Sequence, residues 1–475
     1  MNLRTVLHRS WRVLRWALLA LVLLTACAIA ALWWANRQDD ALRPEVVAAM
    51  AFTPPDAEAM RRNGYFTMLG LGAPADQDAL TAGQRFFAAQ LADYSEFQVK
   101  GTLDSSAIRG AFPHRSVQLG ATRCDAEVSD CFGHYLTHAS AVRDHLHRQR
   151  SLVARYLSLR DFTDYTEVTP PYIGIVFPHY SDVVAASELV GMQAALAAHD
   201  GNSDEALSQL EANAAIHRQL ASGSRTMMGA MVALAADMRQ QRLIAGLARA
   251  WAPLDAGQAG RLARLLETLP PTMAATMAGE LSFSLAAYGM SIPHDTAEMA
   301  WSSRVSRWFD NRVTALAYLP NATLNEAFDE WSEAIRLSEL PPDQIDAAVQ
   351  ALGLQNRSSI LTRWRNPVGQ VLLGFSDPPV MLPYIERAHD VNGHRRLVQL
   401  QIAALRERVT PQHMPDWLAA QAPALRNPYT LQPMGWDAAT QSLVFEGRQA
   451  QIQNPKPRNV YRVSVYGATP KPARP

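Results

Sequence analysis

The densest group of chemically capable side chains lies between residues 124 and 147. Cys124, Cys131, His134 and His138 follow the pattern C-x6-C-x2-H-x3-H, and His145 and His147 come shortly after. Two thiolates and two imidazoles make a tetrahedral zinc set, and His134 and His138 fall one helical turn apart. The first spacing is wider than the two to four residues usual between zinc cysteines. In an oxidising compartment the same pair reads first as a disulfide, Cys124–Cys131. The expectation is that disulfide, with Cys124, Cys131, His134 and His138 as the metal alternative. The four histidines read as solvated or locally hydrogen-bonded, and no cofactor is expected.

Acids come next. Glu326 and Glu330, and Asp329 and Glu333, stand four apart, a spacing that usually marks a solvated helix face. Glu188, Glu211 and Glu280 sit among apolar residues. They fit a rim or a buried hydrogen-bonding role; in a cleft, Glu188 or Glu280 would suit a general acid. His389, His394, Arg395 and Arg396 form a basic patch that reads first as helix-end solvation, with contact to an anion as the alternative. Met227, Met228, Met231, Met238, Met273, Met277 and Met290 recur at helical spacing, which reads as gap-filling core. No G-x-S-x-G elbow, phosphate loop, H-E-x-x-H, dinucleotide fingerprint or EF-hand loop occurs. The 475 residues carry zero formal net charge, so no electrostatic argument points to nucleic acid. Only Lys100, Lys456 and Lys471 are lysines; the Arg bias fits a GC-rich bacterial genome.

The elements that carry these residues begin with an anchor. Arg4, Arg9, Arg12 and Arg15 precede an uncharged run from Trp16 to Ala35. Twenty helical residues span about 30 Å, the hydrocarbon thickness of a bilayer. Trp16, Trp33 and Trp34 stand at its ends, where interfacial aromatics belong. The basic flank at 1–15 predicts a cytoplasmic N-terminus, a single pass through a bacterial inner membrane over 16–35, and a periplasmic remainder. Within this run Leu24-Thr25-Ala26-Cys27 resembles the lipobox of bacterial lipoproteins, which implies lipidation of Cys27 and a lipoprotein as the alternative. Against it, Ala28 to Ala35 stays apolar. A cleaved signal peptide is the third option.

Beyond the anchor, Ala and Leu dominate and β-branched residues are sparse, which favours helix. A juxtamembrane and Cys-containing helical region is expected over 36–165, with helices at Leu80–Phe97 and Ser140–Arg160. A helical array follows over 166–365. Its members are Val183–Ala198, Asp204–Leu220 with Ser203 as N-cap, Thr226–Trp251, Ala256–Leu269, Met273–Met290, Thr296–Leu319, Leu324–Leu337 and Pro342–Leu352. Leu207, Leu210, Ala214, His217 and Leu220 share one face. Asn366-Pro367 and Asp377-Pro378-Pro379 read as breaks. An α+β region over 366–454 holds a helix at His394–Arg408 and a strand at Ser442–Phe445. The last segment, 455–475, holds a strand at Val460–Tyr466 and a Pro-rich tail. The fold class is thus mainly α: one transmembrane helix, an irregular array of antiparallel hairpins and a small C-terminal β-hairpin.

Residues 203–220, SDEALSQLEANAAIHRQL, resemble one helix of a tetratricopeptide hairpin, without a 34-residue period around them. The order helix, Asn427-Pro428-Tyr429-Thr430, Trp436-Asp437, strand resembles the globular end of type II secretion pseudopilins. The layout as a whole is similar to bacterial envelope proteins with one anchor and a helical ectodomain. These features predict a non-catalytic binding or scaffold component that meets the membrane and another envelope protein. The alternatives are an enzyme acting on cell wall or glycan and a structural subunit of a secretion or transport assembly.

Overall fold

The structure, a computed structural model, describes residues 3–100, 117–125, 130–267, 273–289, 317–352, 364–374, 378–448 and 460–466. The helix expected at Thr296–Leu319 falls mostly outside these residues, as do Met290 and the tail after 466. The fold is mainly α, with one apolar N-terminal helix, antiparallel helices and a small C-terminal sheet.

Helix α1 (Leu3–Ala35) runs without a break through the charged flank and the apolar run. Its Leu14–Ala35 stretch is long and apolar enough to cross a membrane, and none of its most apolar window is buried inside the molecule. Burial by lipid is the physical alternative to burial by protein for such a surface.

A large core gathers α2 (Ala79–Lys100), α3 (Cys131–Thr137), α4 (Tyr180–His199), α5 (Ser203–Gly223), α6 (Met227–Ala250) and α7 (Ala256–Leu265). Helix α4 is its centre: Val183, Ala186, Leu189, Val190, Met192 and Ala195 all have at most 1% exposure. Small residues let its neighbours approach; Gly191 lies where a Cβ would come within 3.2 Å of Leu243 of α6. The α4–α5 turn is closed by Gly201 at φ +85°, a left-handed conformation that only glycine adopts without strain. The predicted N-cap Ser203 is instead the first helical residue of α5, preceded by Asn202, whose side chain makes no cap bond. Helix α6 begins at Thr226, whose hydroxyl accepts the Gly229 N–H. Helix α7 begins with a reciprocal Asp255–Gln258 capping box.

A second core joins α8 (Met273–Gly289), α9 (Pro320–Ser338), α10 (Pro367–Leu373) and the start of α11 (Pro378–Glu407) around Met277, Leu285, Leu324, Trp331 and Ile385. Helices α9 and α10 each open on proline, whose missing N–H costs nothing in the first turn. Helix α11 corrects the expectation of a short helix from His394. It spans 30 residues, starting where Pro378-Pro379 was read as a break. The proline pair marks a helix start rather than a gap, and Pro383 is accommodated within the helix. Its first half packs in the second core and its second half in the large core, through Leu397, Leu400 and Ile402.

The expected C-terminal hairpin is present, and a third strand joins it. Strands β1 (Gly435–Asp437), β2 (Ser442–Glu446) and β3 (Val460–Ser464) form one antiparallel sheet with β2 central. Leu443 pairs with Val463, and both point with Phe445 into the core beneath α11. Of the methionines, Met238, Met273 and Met277 are buried, Met227 and Met231 pack at core edges, and Met228 is half-exposed.

Candidate functional site

The cysteines meet as expected. Cys124 and Cys131 lie at disulfide distance, both fully buried, with Cα atoms 5.5 Å apart. Among the described residues no group of three or more His, Cys, Asp or Glu is arranged to hold a metal ion. His138 Nδ1 instead contacts the His134 carbonyl at 3.0 Å, and the two rings are 4.7 Å apart. Cys27 is free and exposed in the middle of α1.

Glu188 supports the disulfide loop from below. Its carboxylate accepts the Cys124 N–H, contacts the Tyr135 hydroxyl at 3.3 Å and lies 3.8 Å from Arg239. Burial pushes its pKa up, against the pull of Cys124 N–H and Arg239. Arg249 on α6 pairs with Asp130 beside Cys131. The acid therefore organises a loop.

Glu280 is elsewhere. It accepts the Met227 N–H at the start of α6, and burial raises its pKa. Beside it Glu167, which sequence reasoning passed over, accepts Tyr180 Oη at 2.6 Å, Thr226 Oγ1 at 2.8 Å, and the N–H groups of Arg225 and Thr226 at 2.8 and 2.9 Å. Two carboxylates thus satisfy the free N–H groups at the head of one helix. The partners of Glu188 and Glu280 on α6, Arg239 and Met227, are about 18 Å apart along the helix at 1.5 Å per residue. That is too far for the two acids to flank one scissile bond.

The other acids are similarly engaged. Glu211 takes both arms of Arg261 at 2.8 Å, Glu326 accepts Gln370 Nε2 at 2.7 Å, Asp329 pairs with Arg43 at 2.8 Å, and Glu333 pairs with Arg336. Glu330 is buried on α9. A Ser–His contact also appears: Ser187 Oγ lies 2.7 Å from His217 Nε2. Both are under 4% exposed, Ser187 is in mid-helix, and no third group orients His217 Nδ1. Burial lowers the His217 pKa to about 4, so the imidazole is neutral. A nucleophile needs an approach path, and both side chains are buried among the described residues, so the contact reads as a core hydrogen bond.

The basic patch on α11 turns inward. Arg395 pairs with Asp237 of α6 and with Asn392, and His394 Nδ1 meets Gln241 Oε1 at 2.8 Å. Arg396 donates to the Arg426 carbonyl at 2.6 Å. Arg395 and His394 stitch α11 to α6, and Arg396 ties it to the segment at Arg426.

One turn earlier on α11 lies the group with the most unusual acid–base character. Asp390, fully buried, accepts Tyr429 Oη at 2.6 Å, Tyr461 Oη at 3.1 Å and the Arg448 N–H at 3.0 Å. Glu386 stands four residues before it. Burial, reinforced by Asp390, lifts the Glu386 pKa to about 7. Arg448 closes the group: its guanidinium lies 4.4 Å from the Tyr429 ring centroid and pairs with Asp346 at 2.5 Å. Tyr429, Phe445 and Tyr461 stack in sequence behind it. Glu386 is half-buried at the α11–sheet junction and can hold or release a proton at neutral pH. Glu386 and Asp390 were not singled out from the sequence, although their i, i+4 spacing stands in it. Tyr429, Arg448 and Tyr461, which come from 39 to 71 residues away, were not legible as their partners.

The other constructed feature is where the anchor meets the body. Asp39 accepts the N–H groups of Asn321 and Ala322 at 2.8 and 3.0 Å, capping α9 from far along the chain. The native N-cap Leu319 offers no side-chain acceptor. Asn366, at φ 56°, accepts the Leu319 N–H at 2.8 Å and its N–H donates to Asn36 Oδ1 at 2.6 Å. Asn36 also donates to the Trp364 carbonyl at 2.9 Å. Arg43 pairs with Asp329 and Arg365 with Asp40. The residues just after α1 are thus bonded to two separate segments of the body.

No protein-family model, curated protein or solved structure matches the chain. Its function rests on this geometry alone.

Proposed function

We propose that this chain is a single-pass membrane protein of a bacterial envelope, N-terminus cytoplasmic and body periplasmic. Its helical body acts as a binding or scaffold component for another envelope protein. The observation that carries this reading is the join between anchor and body. A tether that only kept an enzyme near a membrane would need no defined geometry. Here Asn36, Asp39, Asp40 and Arg43 lock the body to the end of α1 through hydrogen bonds and ion pairs. A fixed orientation to the bilayer is what a scaffold requires of its anchor. The engaged state of Glu188, Glu211 and Glu280 supports the same reading, since each serves the fold. The test is extraction of native membranes in mild detergent. The scaffold reading predicts migration as a complex well above the 52.3 kDa chain, lost when Asp39, Asp40 and Arg43 are replaced together by Ala. Recovery of the wild-type chain alone contradicts it.

An enzymatic reading has one observation in its favour, the Glu386 carboxyl poised near neutrality beside Asp390. It predicts that Glu386→Gln abolishes a hydrolytic activity on envelope glycan while leaving the complex intact.

A further inference from the structure

The exposed apolar residues of the body are unevenly placed. Among the described residues beyond α1, four of the nine exposed large hydrophobics, Trp364, Val368, Val371 and Val380, fall within one short stretch, and Val47 lies just after α1; Val99, Ile173, Met228 and Leu431 stand singly elsewhere. Val368 and Val371 are one turn apart on the outer side of α10, while Gly369 and Leu373 face the core. Trp364 is 50% exposed and Val371 64%. Between Trp364 and Gly374 the only charged residue is Arg365, and its guanidinium is paired with Asp40 at 2.6 Å. An apolar, charge-neutralised face of this kind is costly to leave in water.

Its position identifies what covers it. The Trp364 carbonyl accepts a hydrogen bond from Asn36, and the Asn366 N–H donates to the same side chain. Asn36 is the first residue after α1. If Leu14–Ala35 fills the hydrocarbon layer, Asn36 stands at the level where hydrocarbon gives way to headgroups. Trp364 is then at that level too, as are Trp33 and Trp34 at the end of α1, which are 56% and 65% exposed. Indole rings favour that depth, with an apolar body in the acyl boundary and an N–H in the headgroups. A short helix with one apolar face lying in the interface plane is a known mode of lipid contact.

We propose that Trp364 and the Val368/Val371 face of α10 lie in the headgroup layer of the bilayer that α1 crosses, as a second and non-spanning membrane contact. It rests on the reading of α1 as a membrane span. The hydrogen-bonded join sets the body against the end of α1, and this contact seats the adjoining face of the body in the bilayer surface.

The test uses the full-length chain with Cys27→Ala, so that a single introduced cysteine can carry an environment-sensitive fluorophore while Cys124 and Cys131 stay joined. Three positions are labelled separately in liposomes of phosphatidylethanolamine and phosphatidylglycerol: Val371→Cys, Leu24→Cys in the anchor, and Asp416→Cys on the body. Quenchers are phospholipids with a nitroxide at a shallow or a deep acyl carbon. The label at 371 should emit to the blue of that at 416 and be quenched several-fold more by the shallow nitroxide than by the deep one. The label at 24 should prefer the deep nitroxide. If 371 behaves like 416 while 24 is quenched, the second contact is wrong and the anchor stands. If 24 is not quenched either, the membrane-spanning reading has failed and the inference falls with it. Val368→Gln/Val371→Gln, both at exposed positions, should leave thermal unfolding in detergent unchanged while weakening the seating of α10 in the headgroup layer. In a 371-labelled Val368→Gln chain the shallow quenching should drop; unchanged quenching contradicts the inference.

Discussion

At the scale of single residues, much of the chemistry that looked available serves the fold. Asp39 illustrates this. It was legible only as an acid following the anchor, yet it supplies the cap that α9 lacks. Asp39→Ala should cost about 1 kcal/mol of stability, the usual worth of a lost N-cap, with Asp39→Asn retaining most of it. Thermal unfolding in detergent measures both. Glu386 makes a pH prediction. Its folded pKa, about 7, lies above the ordinary carboxyl value, so its protonated form stabilises the fold fully at low pH. That contribution declines as pH rises from about 4.5 through 7. Glu386→Gln should flatten that part of the stability profile and leave the variant more stable than wild type at pH 8. His217, His389 and His394 act in the opposite sense. Burial holds their pKa values down at about 4, 4 and 3. The unfolded chain therefore takes up protons that the folded chain cannot, and stability falls as pH drops below about 6.5. Urea midpoints measured between pH 4 and 8 separate the two effects, because Glu386→Gln removes only the first.

At the scale of elements, the helices were legible where apolar periodicity was regular and less so where tertiary contacts set the boundary. The α4–α5 pair followed from its spacing and its Gly201 turn. The first half of α11 did not, since its Pro-rich start resembles a break and its helical state depends on packing in the second core. Strand β1 was missed because three residues carry too little alternation; pairing with β2 makes it a strand. The join between α11 and the sheet is tight. A Cβ at Gly393 would lie 2.3 Å from the Phe445 ring. Gly393→Ala should destabilise by about 1–3 kcal/mol through overpacking, and Phe445→Leu in the same chain should recover part of the loss. Chemical denaturation followed by Trp fluorescence reads both. The Cys124–Cys131 loop was legible from spacing alone, but its platform was not, because Glu188 and Arg239, which meet Cys124 and Tyr135 there, are distant in sequence. Cys124→Ala/Cys131→Ala should cost about 2–3 kcal/mol, the worth of closing so short a loop. A smaller loss would mean that the Glu188 platform holds the loop without the bond.

At the scale of the whole molecule, the described residues form two large cores bridged by α6 and α11, with a small cluster of Leu234, Met238 and Val391 between those helices, and the second core lies against the residues after α1 through Val46 and the Asp39–Arg43 contacts. A helix long and apolar enough to cross a membrane was evident from twenty uncharged residues. Its rigid attachment was not, because Asn36 and Asp39 find partners some 280 to 330 residues later. Those contacts turn a hydrophobic tail into an oriented mount. The claim on which the account depends is that α1 crosses the bilayer with the body outside the cytoplasm. Labelling of Asp416→Cys in a Cys27→Ala chain by a membrane-impermeant maleimide, in spheroplasts of a Gram-negative host, measures it most directly. The account predicts full labelling in intact spheroplasts, with no increase on lysis. Labelling only after lysis would contradict it.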